Sequence, residues 1–315
     1  MPDLTELHRH LDICVRTSTL FELAQKQGII PQATSLDSFK GELYITEPLS
    51  DLNAVLDQFT LFPKVQTRPE IAKRIAFEAV EDAYREGIRK IELRFSPGFV
   101  SHFGGLSWDE ICDSYLAGLE LAREAYPEIK TGLICIASRD FGPDGAAETV
   151  EFFLRRSDAF IGIDLAGPEK EFPCRIFKQA FEPAIRAGSN ITIHAGEASG
   201  PENIWQAIED LKAKRIGHGI TSIEDQELID FLRDQEICLE VCPSSNILTK
   251  SAASFESHPL AALVRAGVPC SINTDDPGIF PITLPGEIEL ASTRMGLNSA
   301  QINFCLDSAS KYSFL

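Results

Sequence analysis

The sequence holds six histidines, and four of them stand where short β-rich runs end: His8, His10, His194 and His218. His8 and His10 are two apart, so on a strand their side chains point the same way and can share one ion. Another run ends in Asn273-Thr274-Asp275-Asp276, which adds carboxylates at the same rim. Three histidines and one aspartate are an ordinary ligand set for catalytic zinc with a position left for water. Zinc lowers the pKa of such a water to about 7 and supplies hydroxide at neutral pH. Glu197 follows in His194-Ala195-Gly196-Glu197. A carboxyl group beside a metal and shielded from water can shuttle protons during attack, and the two small residues let backbone and substrate approach closely. Singly these features are weak. A lone histidine is more often a hydrogen-bonded structural residue than a ligand, and Asp275-Asp276 before Pro277 also suits a turn. Agreement of four strand ends on one chemistry carries the weight. His102 and His258 lie in loop or helix segments and receive no role.

Such residues, far apart in sequence, need elements that bring them together. The candidate strands are 4–7, 88–95, 132–137, 160–165, 191–194, 215–217, 237–241 and 269–272. Most are continuous apolar runs, as expected of parallel strands covered on both faces. The stretches between carry helix punctuation. Thr19-Leu20-Phe21-Glu22 matches a capping box, and Gly28 stands where that helix would stop. Pro69 and Pro201 suit first helical turns, Gly87 closes the helix before the second strand, and Ile204, Ile208 and Leu211 ride on the helix that Pro201 opens. Eight β/α units point to an α/β fold, a TIM (β/α)8 barrel in one domain over residues 1–315. A doubly wound open sheet is the competing architecture, but no GxGxxG follows the first strand. The barrel form puts all the candidate residues at its catalytic face. One connection is irregular: roughly 80 residues separate His10 from Ile88, far beyond a normal βα loop. This helical insertion after strand one contains Leu52, Val55, Leu56 and Phe59 at helical spacing, with Phe62 beyond. They make a helix docked on the barrel wall, a lid over the mouth, or both.

Composition narrows the partners. With 29 Lys plus Arg against 47 Asp plus Glu, the formal charge of the 315-residue chain is −18. Such a surface repels polyanions and anionic membranes, so a small neutral or cationic ligand is the expected partner. No run of eighteen apolar residues and no leader-like start is present, which predicts a cytoplasmic protein without a membrane span. The eight cysteines are scattered with no CxxC, as in a reduced intracellular chain.

Taken in order, these residues resemble the adenosine deaminase family of zinc aminohydrolases, with the bacterial members most alike. The matching segments are Glu6-Leu7-His8-Arg9-His10-Leu11-Asp12, Glu92-Leu93-Arg94-Phe95-Ser96-Pro97, Asp164-Leu165-Ala166-Gly167, Thr192-Ile193-His194-Ala195-Gly196-Glu197, Arg215-Ile216-Gly217-His218-Gly219 and Ser271-Ile272-Asn273-Thr274-Asp275-Asp276-Pro277-Gly278. They span almost the whole chain. The resemblance implies a TIM barrel with one Zn2+ held by His8, His10, His194 and Asp275, and a water that attacks C6 of adenosine or 2′-deoxyadenosine to give inosine or 2′-deoxyinosine and ammonia. It implies that Glu197 protonates N1, and that His218 orients and deprotonates the water. Asp276 would face N7, the Gly167 N–H would face N3, Asp12 would meet the 5′-hydroxyl, and the 52–62 stretch would be an apolar gate. Two residues depart from the family pattern, Ile13 where glycine is usual and Pro168 where an acidic residue is usual. The chain also stops at Tyr312-Ser313-Phe314-Leu315, where relatives often continue their last helix.

Other readings make distinct demands. Adenine, aminofutalosine or an N6-modified nucleoside or nucleotide is an alternative substrate. A phosphate would want several Lys or Arg at the mouth, and Arg9, Arg16 and Arg139 are the candidates. A binuclear metallohydrolase typically bridges its metals with a strand-four lysine, which Ile161-Gly162-Ile163-Asp164-Leu165 lacks. The H-x-E…P-C-x-x-C signature of nucleic-acid deaminases is absent. A pure binding protein on an inactive barrel would be expected to have lost a ligand or the proton shuttle, and none is lost. The resemblance implies a small purine nucleoside as the partner; no nucleic acid and no membrane are expected, and a monomer or weak homo-oligomer is expected.

Overall fold

The structure, a computed structural model, describes residues 3–315. Its eight strands are β1 (Leu4–His10), β2 (Ile88–Phe95), β3 (Lys130–Ser138), β4 (Phe160–Ala166), β5 (Thr192–Ala195), β6 (Arg215–His218), β7 (Cys238–Val241) and β8 (Cys270–Ile272). They pair in parallel as two half-sheets, β1 to β4 and β5 to β8. One parallel bridge joins the halves on each side, Ile163 with Ile191 and Arg9 with Asp275. The strands therefore follow the (β/α)8 barrel. At the second seam the Asp275 N–H donates to the His8 carbonyl at 2.9 Å and the His10 N–H to the Asp275 carbonyl at 3.0 Å. That seam ties Asp275 to the strand carrying His8 and His10.

All eight expected strands are present, with one informative difference. β1 runs to His10 because Arg9 and His10 continue to pair with Leu93 and Arg94 of β2. His8 and His10 are thus on the strand itself, and both side chains face inward. The expected capping box at Thr19 is not one. Helix α1 (Thr17–Lys26) starts two residues earlier, and the Thr19 hydroxyl instead donates to Glu78 at 2.6 Å. Pro69 and Pro201 do open helices, the second of which ends at Glu209, short of Leu211.

The insertion continues with α2 (Leu36–Leu43), α3 (Leu52–Leu56) and α4 (Leu61–Lys64), with a 3-10 turn over Asp57–Thr60. Both expectations for this segment hold. Leu52, Val55, Leu56 and Phe59 line the cavity at the barrel mouth, while Phe62 is fully buried as an anchor. A Cβ at Gly278 would come within 3.1 Å of the Phe62 ring and collide with the Ile13 carbonyl, so glycine is required there.

Helices bury their apolar faces on the outside of the strands, but the barrel interior is charged. Glu92, Arg94, Asp164, Arg215 and Glu240 are all at most 1% exposed. Arg94 bonds Asp164 at 2.8 Å and Glu240 at 2.7 Å, and Arg215 bonds Glu240 at 2.7 Å and Glu92 at 2.6 Å. The C-terminal residues close the floor beneath this layer: the Phe314 ring centroid lies 3.6 Å from the Arg215 guanidinium. Buried charges are costly unless paired, and here each is paired, with Asp164 and Glu240 also reaching His194 and His8 above. Among the described residues no helix is long and apolar enough to cross a membrane.

Candidate active site

His8, His10, His194 and Asp275 each offer a donor atom, and the four atoms lie within 4.8 Å of one another. Asp275 Oδ1 is 3.3 Å from His8 Nε2 and 3.2 Å from His10 Nε2. Below them, His8 Nδ1 meets Glu240 at 2.8 Å and His194 Nδ1 meets Asp164 Oδ2 at 2.9 Å. A carboxylate partner fixes the Nδ1–H tautomer and turns Nε2, the ligating nitrogen, toward the cluster. His8 Nε2 is buried with no hydrogen-bond partner. Such an orphan among converging acceptors fits a cation. Burial would raise both supporting carboxyls, but His194 and Arg94 hold Asp164, and Arg94 and Arg215 hold Glu240, well below the usual range. They remain ionised. Burial keeps His194 neutral, as a ligand must be. At His10 burial is outweighed by Asp276 and Asp275, which push it up to about 9, so a metal there competes with a proton. A second grouping, His8, His218, Cys242 and Asp275, is equally close. Burial drives the Cys242 thiol well up and keeps it protonated, which disfavours it as a ligand.

Glu197 is buried beside this cluster. Burial, then Asp275 and Glu169, push its carboxyl up to about 8. The loop that carries it is tied down by Glu169, whose carboxylate accepts from the backbone N–H groups of Gly196, Glu197, Ala198 and Ser199 and from the Asn203 side chain. Thr249 Oγ1 donates to Glu197 Oε1 at 3.1 Å. The glycine before Glu197 has a more local reason than substrate approach. Gly196 sits at φ +72, and a Cβ would strike Ile204 of the following helix.

His218 Nε2 lies 3.5 Å from Glu197 Oε2 and 3.7 Å from Asp275 Oδ2. Both His218 and Asp275 hold positive φ, at 59° and 65°. Non-glycine residues in that region mark backbone held against its preference, which clusters at functional sites.

The remaining expected residues line the same cavity of about 340 Å³. Asp12 accepts the Ser96 N–H at 3.0 Å through one oxygen, while the other is buried and unpartnered. One oxygen of Asp276 is likewise unpartnered, and burial with Asp275 pushes that carboxyl well up. Gly167, at φ +106, abuts the Asp140 carboxylate, so a side chain would be crowded there. The two departing residues are also near: Ile13 lines the cavity, and Pro168 leads directly into Glu169. His102, which received no role, lines the rim with Phe99, Phe103 and Phe141.

Among the described residues no lysine or arginine lines this cavity, whereas Asp12, Asp57, Asp140, Glu197, Asp275 and Asp276 do. The three arginines that sequence offered for a phosphate are all committed elsewhere. Arg9 is buried on Glu86 at 3.0 Å and Thr274 at 2.9 Å. Arg16 bonds Asp82 and Glu81. Arg139 holds the carbonyls of Leu165, Phe172 and His194.

The adenosine deaminase family model matches residues 3–315. The chain belongs to the adenosine deaminase family. Adenosine deaminases of Shigella flexneri serotype 5b and Escherichia coli strain SE11 are each 38% identical to it over 312 residues, covering 99% of this chain and 93% of theirs. Among solved structures, an amidohydrolase from Burkholderia ambifaria with bound Zn superposes with a TM-score of 0.90 at 26% identity, covering 99% of this chain and 86% of that one. An N6-mAMP deaminase from Arabidopsis gives 0.84 at 31% identity, covering 99% and 93%. Against this family background, the residues that sequence reasoning missed are mostly those behind the site: Asp164 and Glu240 under the histidines, Arg94 between them, and Glu169 and Thr249 around Glu197. The signal for Arg94, Asp164 and Glu240 was charge inside runs read as buried strands, whereas Glu169 and Thr249 lie outside every such run.

Proposed function

We propose that this chain is a zinc-dependent adenosine deaminase that converts adenosine and 2′-deoxyadenosine, with water, to inosine or 2′-deoxyinosine and ammonia. The observation that carries the choice of an uncharged nucleoside is the cavity without a basic side chain and with six carboxylic side chains around it. A 5′-phosphate would lack the Lys or Arg it needs and would face like charge.

His8, His10, His194 and Asp275 would hold the ion. Zinc bound there supplies a Lewis acid that lowers the pKa of a coordinated water to about 7. The chain's own groups do the rest. Addition of water to C6 pushes electrons onto N1, so a proton must reach N1. Glu197, held protonated up to about pH 8 by its burial, donates it. Asp276 keeps a proton for the same reason and can donate to N7, which only accepts. The unpartnered oxygen of Asp12 suits a hydroxyl donor, as the 5′-hydroxyl is. The Gly167 N–H is offered to N3, and His218 orients the attacking water. The α3 and 3-10 side chains exclude bulk water over the sugar.

We read residues 1–315 as one catalytic domain, since one apolar cluster runs from Leu4 to Cys305. The exposed large apolar residues, such as Ile29, Leu121 and Phe304, are scattered, which suits a monomer or weak homo-oligomer. A cytoplasmic place in purine salvage fits eight free cysteines.

The test is ammonia release from a panel of purines. Adenosine and 2′-deoxyadenosine should be hydrolysed at similar kcat/KM. Adenine, lacking the bond to Asp12, should be slower by one to two orders of magnitude, as follows from about 1.5–3 kcal/mol for a hydrogen bond to a charged group. Adenine, AMP or N6-methyl-AMP outpacing adenosine would overturn the assignment.

A further inference from the structure

His218 is not alone behind the site. Its Nδ1 lies 3.0 Å from Asn246 Nδ2, and Asn246 Oδ1 lies 3.3 Å from Nε2 of His258. All three residues are buried, at 1%, 0% and 4% exposure. The far end of the chain is fixed by backbone: the Leu260 N–H donates to His258 Nδ1 at 3.1 Å.

A backbone N–H can only donate, and this sets every proton that follows. His258 Nδ1 must be an acceptor, so neutral His258 carries its proton on Nε2. That N–H must face an acceptor, which makes the facing atom of Asn246 its Oδ1. The amide nitrogen of Asn246 then faces His218 and donates to His218 Nδ1. Neutral His218 is left with its proton on Nε2, the nitrogen that faces the reaction centre. Burial holds His258 at about 4, so its neutral form applies, and an amide N–H facing His218 Nδ1 leaves that nitrogen unprotonated. The acceptors ahead of His218 Nε2, Glu197 Oε2 and Asp275 Oδ2, suit a donor there.

We propose that Asn246 and His258 are positioning residues that lock His218 into its Nε2–H tautomer, so that His218 donates a hydrogen bond to the attacking water and does not take its proton. That proton would leave to solvent at the pKa of about 7 that bound zinc would give the water. This rests on the proposed deamination and divides the role the family resemblance implies for His218. Orientation is retained. Acceptance of the proton is lost, because a protonated Nε2 has no lone pair to offer. Sequence gave His258 no role because it lies 40 residues beyond His218, and only the short helix Pro243–Leu248, which carries Asn246, links them.

The discriminating probe is the pair of ring nitrogens themselves. Two-bond 15N–1H correlation spectra of the zinc-loaded protein should show His218 with an unprotonated Nδ1 and a protonated Nε2. Asn246→Asp is nearly isosteric but offers only acceptors while ionised, so it should draw the proton to His218 Nδ1. In that variant kcat should fall by at least about 10-fold, the low end for outer-shell partners, with KM for adenosine changed less than about 3-fold and zinc retained. His258→Gln keeps a donor toward Asn246 and should recover most of the kcat that His258→Leu loses. A wild-type spectrum with the proton on Nδ1 of His218 overturns the proposal, and needs no variant to fold. So does Asn246→Asp with wild-type kcat and an inverted tautomer. Wild-type protein that releases no ammonia from any purine would instead sink the proposed function, leaving the spectrum to judge the relay.

Discussion

At the scale of single residues, the site separates groups that hold a metal from groups that move protons. Glu197 belongs to the second set. Glu197→Gln keeps the shape and cannot give up a proton. It should retain zinc and bind a ground-state nucleoside nearly unchanged, while kcat falls at least about 10²-fold, the low end for positioned acid–base catalysis. Zinc analysis with steady-state kinetics checks this, and near-wild-type turnover with zinc retained would remove Glu197 from the mechanism. Because the working form is protonated and the carboxyl sits at about 8, kcat should decline above that pH, a limb missing from Glu197→Gln. Asp164 belongs to the first set through His194. Asp164→Asn exchanges an ionised acceptor for a neutral amide and should weaken zinc by about 10–100-fold, the range for such outer-shell partners. Competition with a zinc-binding dye measures it, and unchanged affinity would mean that the His194 contact is incidental.

Elements decide how much of this could be read in advance. His8, His10, His194 and Asp275 were legible because strand ends share one rim in a barrel, so topology converts sequence position into proximity. Glu169 was not. It follows Pro168 in an irregular segment, and its five hydrogen bonds go to backbone and to Asn203 on another element, a pattern no periodicity announces. Thr19 misled in the opposite direction, since its match to a capping box was local while its bond is to Glu78, 59 residues away. The loop after β5 offers a test of the missed residue. Glu169→Gln should leave zinc content intact and lower kcat by about 10²-fold, the cost of misplacing a catalytic group by about 1 Å. If kcat is unchanged, other contacts hold the loop.

For the whole molecule, the charged layer inside the barrel and the metal cluster above it share Asp164 and Glu240, so the ion and the fold should stabilise each other. Zinc at 1,000 times its Kd adds about 4 kcal/mol to stability. Chelation should therefore lower Tm by several degrees in a thermal scan, reversibly on zinc return, and an unmoved Tm would detach the metal from the fold. The most direct test of the central claim is a titration of zinc into metal-free protein, with ammonia released from adenosine as the readout. Activity should rise in proportion to added zinc and stop at one equivalent per chain. A break at two equivalents, or a fully loaded protein that leaves adenosine untouched, would contradict a single-zinc adenosine deaminase.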